Sequence, residues 1–113
     1  MDKETLLKEV NKIEGVQGSM LVSKDGLVQS NSMDGSLDAN LTGAVLSSVF
    51  GNIDAQSKRM QRGKVKRFII ETESDTLSVS EFNVAGESLL VFTQGGKELD
   101  LDKITSALNA LNV

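Results

Sequence analysis

The chain has 113 residues, of which 39% are hydrophobic and 25% are charged, and its formal net charge is −4. These values are typical of a single globular domain, here residues 1–113, that is long enough to bury a core. The sequence contains no His, Cys, Trp or Tyr, which excludes a histidine-based catalytic triad and makes a zinc or copper site unusual. The glycine motifs of nucleotide-phosphate sites do not occur either. We therefore expect no enzyme activity, no metal and no cofactor.

The first residues, Met-Asp-Lys-Glu-Thr-Leu-Leu, are charged and pass directly into a helical pattern. They lack the apolar core of a signal peptide. No stretch approaches the roughly 18 apolar residues that a membrane span needs. We therefore expect a cytoplasmic protein without membrane insertion.

The first part of the chain predicts a helix followed by a β-hairpin. In residues 2–14 apolar residues recur at three- and four-residue spacing, and Asp2 is a suitable N-cap. Residues 16–31 show two short strands joined by Lys24-Asp25-Gly26, where glycine allows the positive φ of a tight turn. The Asp-Gly pair is therefore interpreted as a turn and not as a metal or catalytic element.

A long helix is predicted over residues 38–63. Ser36 or Asp38 is placed to cap it, no proline interrupts it, and Gly63 stands where helices often end. Apolar or small residues cover well over half of its circumference, whereas a surface helix normally has one apolar stripe. They form two adjoining groups, the first with Val45, Leu46, Val49, Ile53 and Met60 and the second with Leu41, Ala44 and Ser48. One face can pack on the chain's own sheet, and the other then needs a further layer or another chain to cover it.

Residues 65–93 predict three consecutive antiparallel strands joined by short polar turns, and residues 98–111 predict a final helix. Residues 89–92 are continuously apolar, which is typical of a central strand covered on both faces. The predicted fold class is therefore α+β, an α/β sandwich in the order α-β-β-α-β-β-β-α. Its five antiparallel strands lie between the long helix on one face and the two terminal helices on the other.

Basic charge is concentrated in residues 58–68, which hold six of the 12 basic residues and no acidic one. Three interpretations stay open. The cations can suit the end of the helix dipole and protect a strand edge, they can form a docking patch for an acidic partner, or they can bind nucleic acid. The net charge of −4 and the lack of interleaved aromatic residues other than Phe68 count against nucleic acid, and we expect no such partner.

Over essentially the whole chain, the element order and several stretches resemble the roadblock/dynein light chain domain family. The similar stretches are residues 13–28, residues 60–63 with the following strand at 67–71, and residues 89–92 with the glycine-rich turn after them. They share apolar, glycine and turn positions and not catalytic signatures. The resemblance implies a non-catalytic module that pairs through its long helix and the next strand. Prokaryotic members similar to the gliding-motility regulator of a Ras-like GTPase bind that GTPase and can stimulate its hydrolysis, and the bare domain length here suggests a prokaryotic member.

The second face of the long helix supports the same pairing from the residues themselves. Small side chains on it permit close helix approach, and a two-fold pair would cover this face and the free edge of the next strand together. We expect the partner to be a second copy of the chain or a roadblock paralogue. The predicted dimer interface consists of Leu41, Ala44, Val45, Ser48, Asn52, Phe68 and Ile70.

The resemblance implies a Ras-like small GTPase as the further partner. We expect the basic segment to contribute to its binding, because this segment borders the predicted interface. The predicted partner-binding residues are Lys58, Arg59, Arg62 and Lys64. An arginine finger from this segment is not favoured, since nothing in the sequence fixes its position.

The main alternative is a small-ligand sensor of the PAS or GAF type, which also places helices against a sheet. Such a sensor needs a roomy pocket with polar anchors, and no cluster for one is evident. A profilin-like polyproline binder is disfavoured because the sequence has no Trp or Tyr for an aromatic groove. An enzyme built on Glu71, Glu73, Asp75 and Glu81 is a weaker interpretation still.

Overall fold

The computed structural model describes residues 2–33, 38–84 and 86–110. The helices are α1 (Lys3–Asn11), α2 (Ala39–Arg59) and α3 (Leu101–Ala110). The strands are β1 (Val16–Ser23), β2 (Val28–Ser32), β3 (Arg67–Glu71), β4 (Thr76–Val84) and β5 (Glu87–Gly95). The predicted element order and fold class are confirmed, and most boundaries move by only a few residues. Of the two predicted caps of α2, Asp38 accepts a hydrogen bond from the N–H of Leu41, and Ser36 lies outside the described residues.

The strands form one antiparallel sheet in the spatial order β2-β1-β5-β4-β3. Strand β5 lies at its centre, where Phe92 is paired with Met20 of β1 on one side and with Val79 of β4 on the other. Strands β2 and β3 are the edges. The predicted central position of the last strand is therefore confirmed.

Two apolar clusters lie on opposite faces of β5, because successive side chains of a strand point to opposite sides. Leu89 and Val91 pack with residues of α1 and α3. Leu90 and Phe92 pack with α2. Burying a side chain of this size stabilises the fold by roughly 1.5–3 kcal/mol, so each helical layer is needed to cover one half of the central strand.

Helix α2 contacts the sheet through residues spaced three and four apart. Its buried residues are Gly43, Leu46, Ser47 and Phe50. The predicted grouping of Leu46 with its apolar neighbours is wrong, because Leu46 is only 5% exposed whereas Val45 is 50% exposed. Consecutive helical residues are separated by about 100°. The buried face is therefore not the most apolar face of the helix, since it includes a glycine and a serine.

Close contact between α2 and the β1–β2 hairpin explains the buried glycine. A Cβ atom added at Gly43 would lie 3.2 Å from Cγ2 of Val28 and 3.4 Å from both Cγ1 of Val22 and the carbonyl oxygen of Gly26. Gly26 itself has a φ of +94°, and a Cβ there would lie 2.9 Å from Oγ of Ser47. Small residues on both sides therefore set the distance between helix and hairpin.

The end of α2 differs from the prediction, which placed the C-terminal stop at Gly63. The helix ends at Arg59, and Gln61 adopts the left-handed conformation with a φ of 60°. The N–H of Arg62 donates to the carbonyl of Ser57, and the N–H of Gln61 donates to the carbonyl of Lys58. This pair of bonds is the Schellman arrangement, in which glycine is usual but not obligatory. Gly63 also has a positive φ, but it lies in the segment that leads to β3.

We predict opposite effects of alanine at two glycines of α2. Gly51→Ala should raise the free energy of unfolding by about 1 kcal/mol, because alanine is the better helix former and nothing lies within 4 Å of the new methyl group. Gly43→Ala should lower it by roughly 1 kcal/mol, because overpacking against Val28 and the backbone of Gly26 costs about 1–3 kcal/mol and outweighs the same gain in helix propensity. Chemical denaturation of both variants tests this pair. Equal stabilisation by both substitutions would contradict the close approach described for Gly43.

Candidate interaction surface

The outer face of α2, together with its C-cap residue, carries most of the large exposed hydrophobic side chains of the described chain. On the helix they are Leu41 at 61% exposure, Val45 at 50% and Ile53 at 37%, and the C-cap residue is Met60 at 66%. Exposed apolar residues are common singly, whereas an aligned set on one helix face marks an interaction surface. We call this set the α2 stripe. It combines Leu41 of the second predicted group with Val45, Ile53 and Met60, which the sequence grouped with Leu46.

The predicted interface residues fall into two environments. Leu41, Ala44, Val45, Ser48 and Asn52 are all exposed on the side of α2 that faces away from the sheet. The structure therefore brings these five residues together on one surface. Their participation in a dimer stays a prediction.

The two predicted strand residues, Phe68 and Ile70, are only half-exposed. Phe68 already packs on Phe50 of α2, with ring centroids 6.0 Å apart. Its neighbour Ile69, whose side chain points to the other face of the sheet, is 41% exposed. In the described part of the chain β3 pairs only with β4, so its outer edge is open for backbone pairing.

Sequence reasoning missed Leu27, which is 62% exposed. It follows Gly26, and a Cβ atom on Gly26 would lie 3.3 Å from Cα of Ala44. The hairpin turn therefore lies beside the N-terminal half of the α2 stripe. An apolar residue directly after a tight turn was the available signal, but its proximity to α2 depends on the tertiary fold.

The four predicted partner-binding residues differ in the contacts that their side chains make. Lys58 lies 3.0 Å from the carboxylate of Asp54, and Lys64 lies 3.4 Å from Glu81. The guanidinium of Arg59 donates to the side chain of Gln56, and Arg62 is exposed. Exposed ion pairs are worth only about 0–1 kcal/mol, so a partner can recruit Lys58 and Lys64 at small cost.

Two carboxylates hold this basic segment in place. Asp54 accepts a hydrogen bond of 2.8 Å from the backbone N–H of Val65, and this bond, together with the contact to Lys58, lowers the pKa of Asp54. Burial alone would raise the pKa of Glu81, but hydrogen bonds from Lys24, Ser88 and Lys64 outweigh it and lower that pKa below its usual value. The segment between α2 and β3 is thus tied to α2 and to β4 by charge-assisted bonds.

The structure does not assemble the carboxylates considered for an enzyme. Asp75 is held by Thr72 and Gln94 at the β3–β4 turn, and these hydrogen bonds lower its pKa. Glu81 lies farther along β4, in the cluster with Lys24. Among residues 2–33, 38–84 and 86–110, no three acidic side chains come close enough to hold a metal ion.

Two sizeable grooves lie on the surface of the described chain. One, with a volume of about 750 Å³, lies between the start of α1 and β2. The other, of about 610 Å³, lies between α3 and the start of β3. Neither is lined by residues of α2. None of the helices described here is long and apolar enough to cross a membrane.

Comparison with known proteins identifies the family. The model of the Roadblock/LC7 domain matches residues 2–92, which is most of the chain. The chain belongs to the Roadblock/LC7 domain family. An uncharacterized protein of Methanocaldococcus jannaschii, MJ0310, is 40% identical over 104 residues, which cover 90% of this chain and 88% of that protein.

Solved structures show the same fold at low sequence identity. A Roadblock/LC7 domain from Streptomyces avermitilis superposes with a TM-score of 0.80 at 24% identity, covering 98% of this chain and 92% of the other. The gliding protein MglB from Thermus thermophilus superposes with a TM-score of 0.76 at 16% identity, covering 95% of this chain and 80% of the other. The family resemblance predicted from the sequence is therefore confirmed.

We predict that this Roadblock/LC7 domain loses stability in acid. Asp54, Asp75 and Glu81 have folded-state pKa values below their ordinary values of 3.8, 3.8 and 4.5. A lowered pKa adds stability above the unfolded-state value, and that stability is lost as the pH falls through the folded-state value. The chain has no histidine. Chemical denaturation should therefore give a nearly constant free energy of unfolding between about pH 5.5 and 7, and a lower one near pH 3.

The variant Asp54→Asn isolates the contribution of the Asp54 carboxylate to the loss of stability in acid. The amide oxygen can still accept from the N–H of Val65, but it does not titrate. The loss of stability between pH 5.5 and pH 3 should therefore be smaller in the variant than in the native chain. An equal loss in the two proteins would show that Asp54 has no part in the acid response.

Proposed function

We propose that this domain forms a symmetric dimer in the cytoplasm and that the dimer binds and regulates a Ras-like small GTPase. The α2 stripe carries the proposal, because it places several large apolar side chains in water on one helix face. Covering apolar surface contributes about 25 cal/mol per Å². A second copy that presents the same stripe is the simplest cover, since a two-fold axis makes one surface complementary to itself.

The edge strand β3 supports the same arrangement. Its outer backbone groups are open among the described residues, and Phe68 links it to α2 through Phe50. A two-fold pair that joins β3 to its copy would continue the sheet across the dimer and remove an edge that otherwise favours aggregation. A paralogue with a similar stripe would serve equally well, which makes a heterodimer the second form of the proposal.

The GTPase partner is inferred from the family. The resemblance seen in the sequence implies binding to a Ras-like GTPase, and the likeness to the gliding protein MglB supports the fold on which that inference depends. Two properties of the structure suit the role. The basic segment at the end of α2 and before β3 borders the proposed seam, and two of its arginines, Arg59 at the end of α2 and Arg62 after it, are exposed.

We do not assign a catalytic residue to this domain. Hydrolysis stays with the GTPase, and the dimer would act by binding one nucleotide state in preference to the other or by positioning the groups of the GTPase itself. The ligand-sensor alternative gains no support, since the two large cavities found are surface grooves and not an enclosed pocket between α2 and the sheet.

The dimer is tested by a charge placed in the α2 stripe. Val45→Arg should convert the dimer to a monomer at micromolar concentration, because a buried pair of like charges at a two-fold seam is strongly unfavourable. Light scattering over a dilution series measures the mass, which should fall from about twice 12.1 kDa to 12.1 kDa. Ser106→Arg, at an exposed position of α3, is the matched control and should remain dimeric. A native chain that is monomeric at all concentrations would refute the homodimer.

The GTPase surface is tested separately with Arg59→Ala and Arg62→Ala combined. Ras-like GTPases from the same genome, loaded with GDP or a non-hydrolysable GTP analogue, are screened for binding by calorimetry. The double variant should bind at least tenfold more weakly at low salt, and the difference should shrink as salt screens the charges. The control is Lys8→Ala with Lys12→Ala on α1, which removes the same charge elsewhere. Equal weakening by both double variants would remove the basic segment from the proposed site.

A further inference from the structure

The sheet has a notch where β4 extends past β3. The last β3–β4 pair joins Arg67 to Ser80, and beyond it the N–H of Glu81 donates to the carbonyl of Lys66 at 3.1 Å. Within the described ranges 2–33, 38–84 and 86–110, no strand pairs with residues 82–84 of β4 on that side. Backbone groups of alternate residues point to the same side of a strand. The N–H and C=O of Asn83 therefore face the notch, as the N–H of Glu81 does.

Next to the notch lies the groove of about 610 Å³ between α3 and the start of β3, and its lining on β4 runs from Ser80 to Phe82, the residue before Asn83. Its lining includes Phe82, which is half-buried, and Leu108, which is 2% exposed. Phe82 packs against the cluster that covers the α1 and α3 face of the sheet. The groove thus has an apolar floor next to an open strand edge.

The rim of the groove is cationic. Lys64, Lys66 and Arg67 line it, against the single carboxylate of Glu81. Glu81 is already paired with Lys24 at 2.9 Å and with Lys64 at 3.4 Å. Arg67 donates to the carbonyl of Leu101 at 3.2 Å and to the hydroxyl of Thr105, which holds its charge at the α3 side. Lys66 is exposed.

From this geometry we propose that the groove binds an extended acidic peptide that carries one large apolar side chain. The open backbone groups at Asn83 suit strand addition, in which main-chain hydrogen bonds provide affinity and pockets beside the strand select side chains. The floor at Phe82 and Leu108 accepts the apolar side chain. The three rim cations select acidic neighbours and reject basic ones.

The groove does not involve the α2 stripe, because no residue of α2 lines it. It includes Lys64, one of the predicted partner-binding residues, and Arg67, the first residue of the strand that the proposed dimer pairs. Peptide binding itself requires no GTPase, but a bound peptide would lie next to the surfaces of the proposed function. The proposal would connect the domain to a protein that carries a short acidic segment.

The test uses a fluorescein-labelled nine-residue peptide with a central phenylalanine flanked on each side by alternating aspartate and threonine. Fluorescence anisotropy measures its dissociation constant for the native chain and two charge-reversal variants. Lys66→Glu should raise that constant at least tenfold. Arg59→Glu, which makes the same charge change at an exposed position outside the groove, should raise it less than twofold. A peptide with alanine in place of its phenylalanine should bind at least fivefold more weakly.

NMR mapping of backbone amide chemical shifts shows where the peptide binds on the protein. Addition of the peptide should shift the amide resonances of Lys66, Phe82 and Asn83 and leave those of β2 unchanged. Equal weakening by Lys66→Glu and Arg59→Glu would mean diffuse charge attraction and would overturn the proposal. Equal binding of the alanine peptide, tighter binding of a nine-nucleotide thymidine strand, or no binding at millimolar peptide would overturn it as well.

Discussion

The burial of β5 on both faces is the constraint on which the rest of the structure depends. A strand that presents Leu89 and Val91 to one side and Leu90 and Phe92 to the other cannot remain stable with a single covering layer. Helices α1 and α3 share one side, whereas α2 covers the other alone. The sheet uses only one face of α2, and no described residue covers the opposite face. The apolar stripe there is thus a consequence of the same sandwich that buries the central strand.

Sequence reasoning predicted the parts of this fold that depend on local patterns of apolar and polar residues. The period of two in the strands, the period of 3.6 in the helices and the continuous apolar run at residues 89–92 are read without knowledge of distant contacts. The buried face of α2 was not predictable in this way. The close approach of Gly43 to Val28 determines which face of α2 packs on the sheet. Because glycine has no side chain, this position carries no hydropathy signal. The end of α2 at Arg59, with Gln61 in the left-handed conformation, has no clear sequence signal either, because Gly63 is the nearby residue of the type that usually marks a helix end.

For the candidate surfaces, the sequence predicted which residues lie together better than it predicted the contacts that these residues make. The five helical interface residues lie together as expected, since their relative positions follow from helical geometry alone. The basic segment was found by counting charges, but its pairing with Asp54 and Glu81 needed the tertiary structure. The notch beside β4 had no sequence signal, because it arises from the unequal lengths of two paired strands. Membership of the Roadblock/LC7 domain family defines the architecture, and it leaves the partner to be found by experiment.

The pairing of β1 with β5 determines when the molecule can fold during synthesis. Leu21 lies opposite Val91, so the first strand of the chain waits for the last one. On the ribosome, α1 and the first hairpin emerge before their main partner exists, and the apolar residues of β1 remain without it until β5 has left the exit tunnel. Pairings so distant in sequence slow folding, and exposed strands of this kind are prone to misassociation. Folding of this domain is therefore expected to be completed only after β5 has left the exit tunnel.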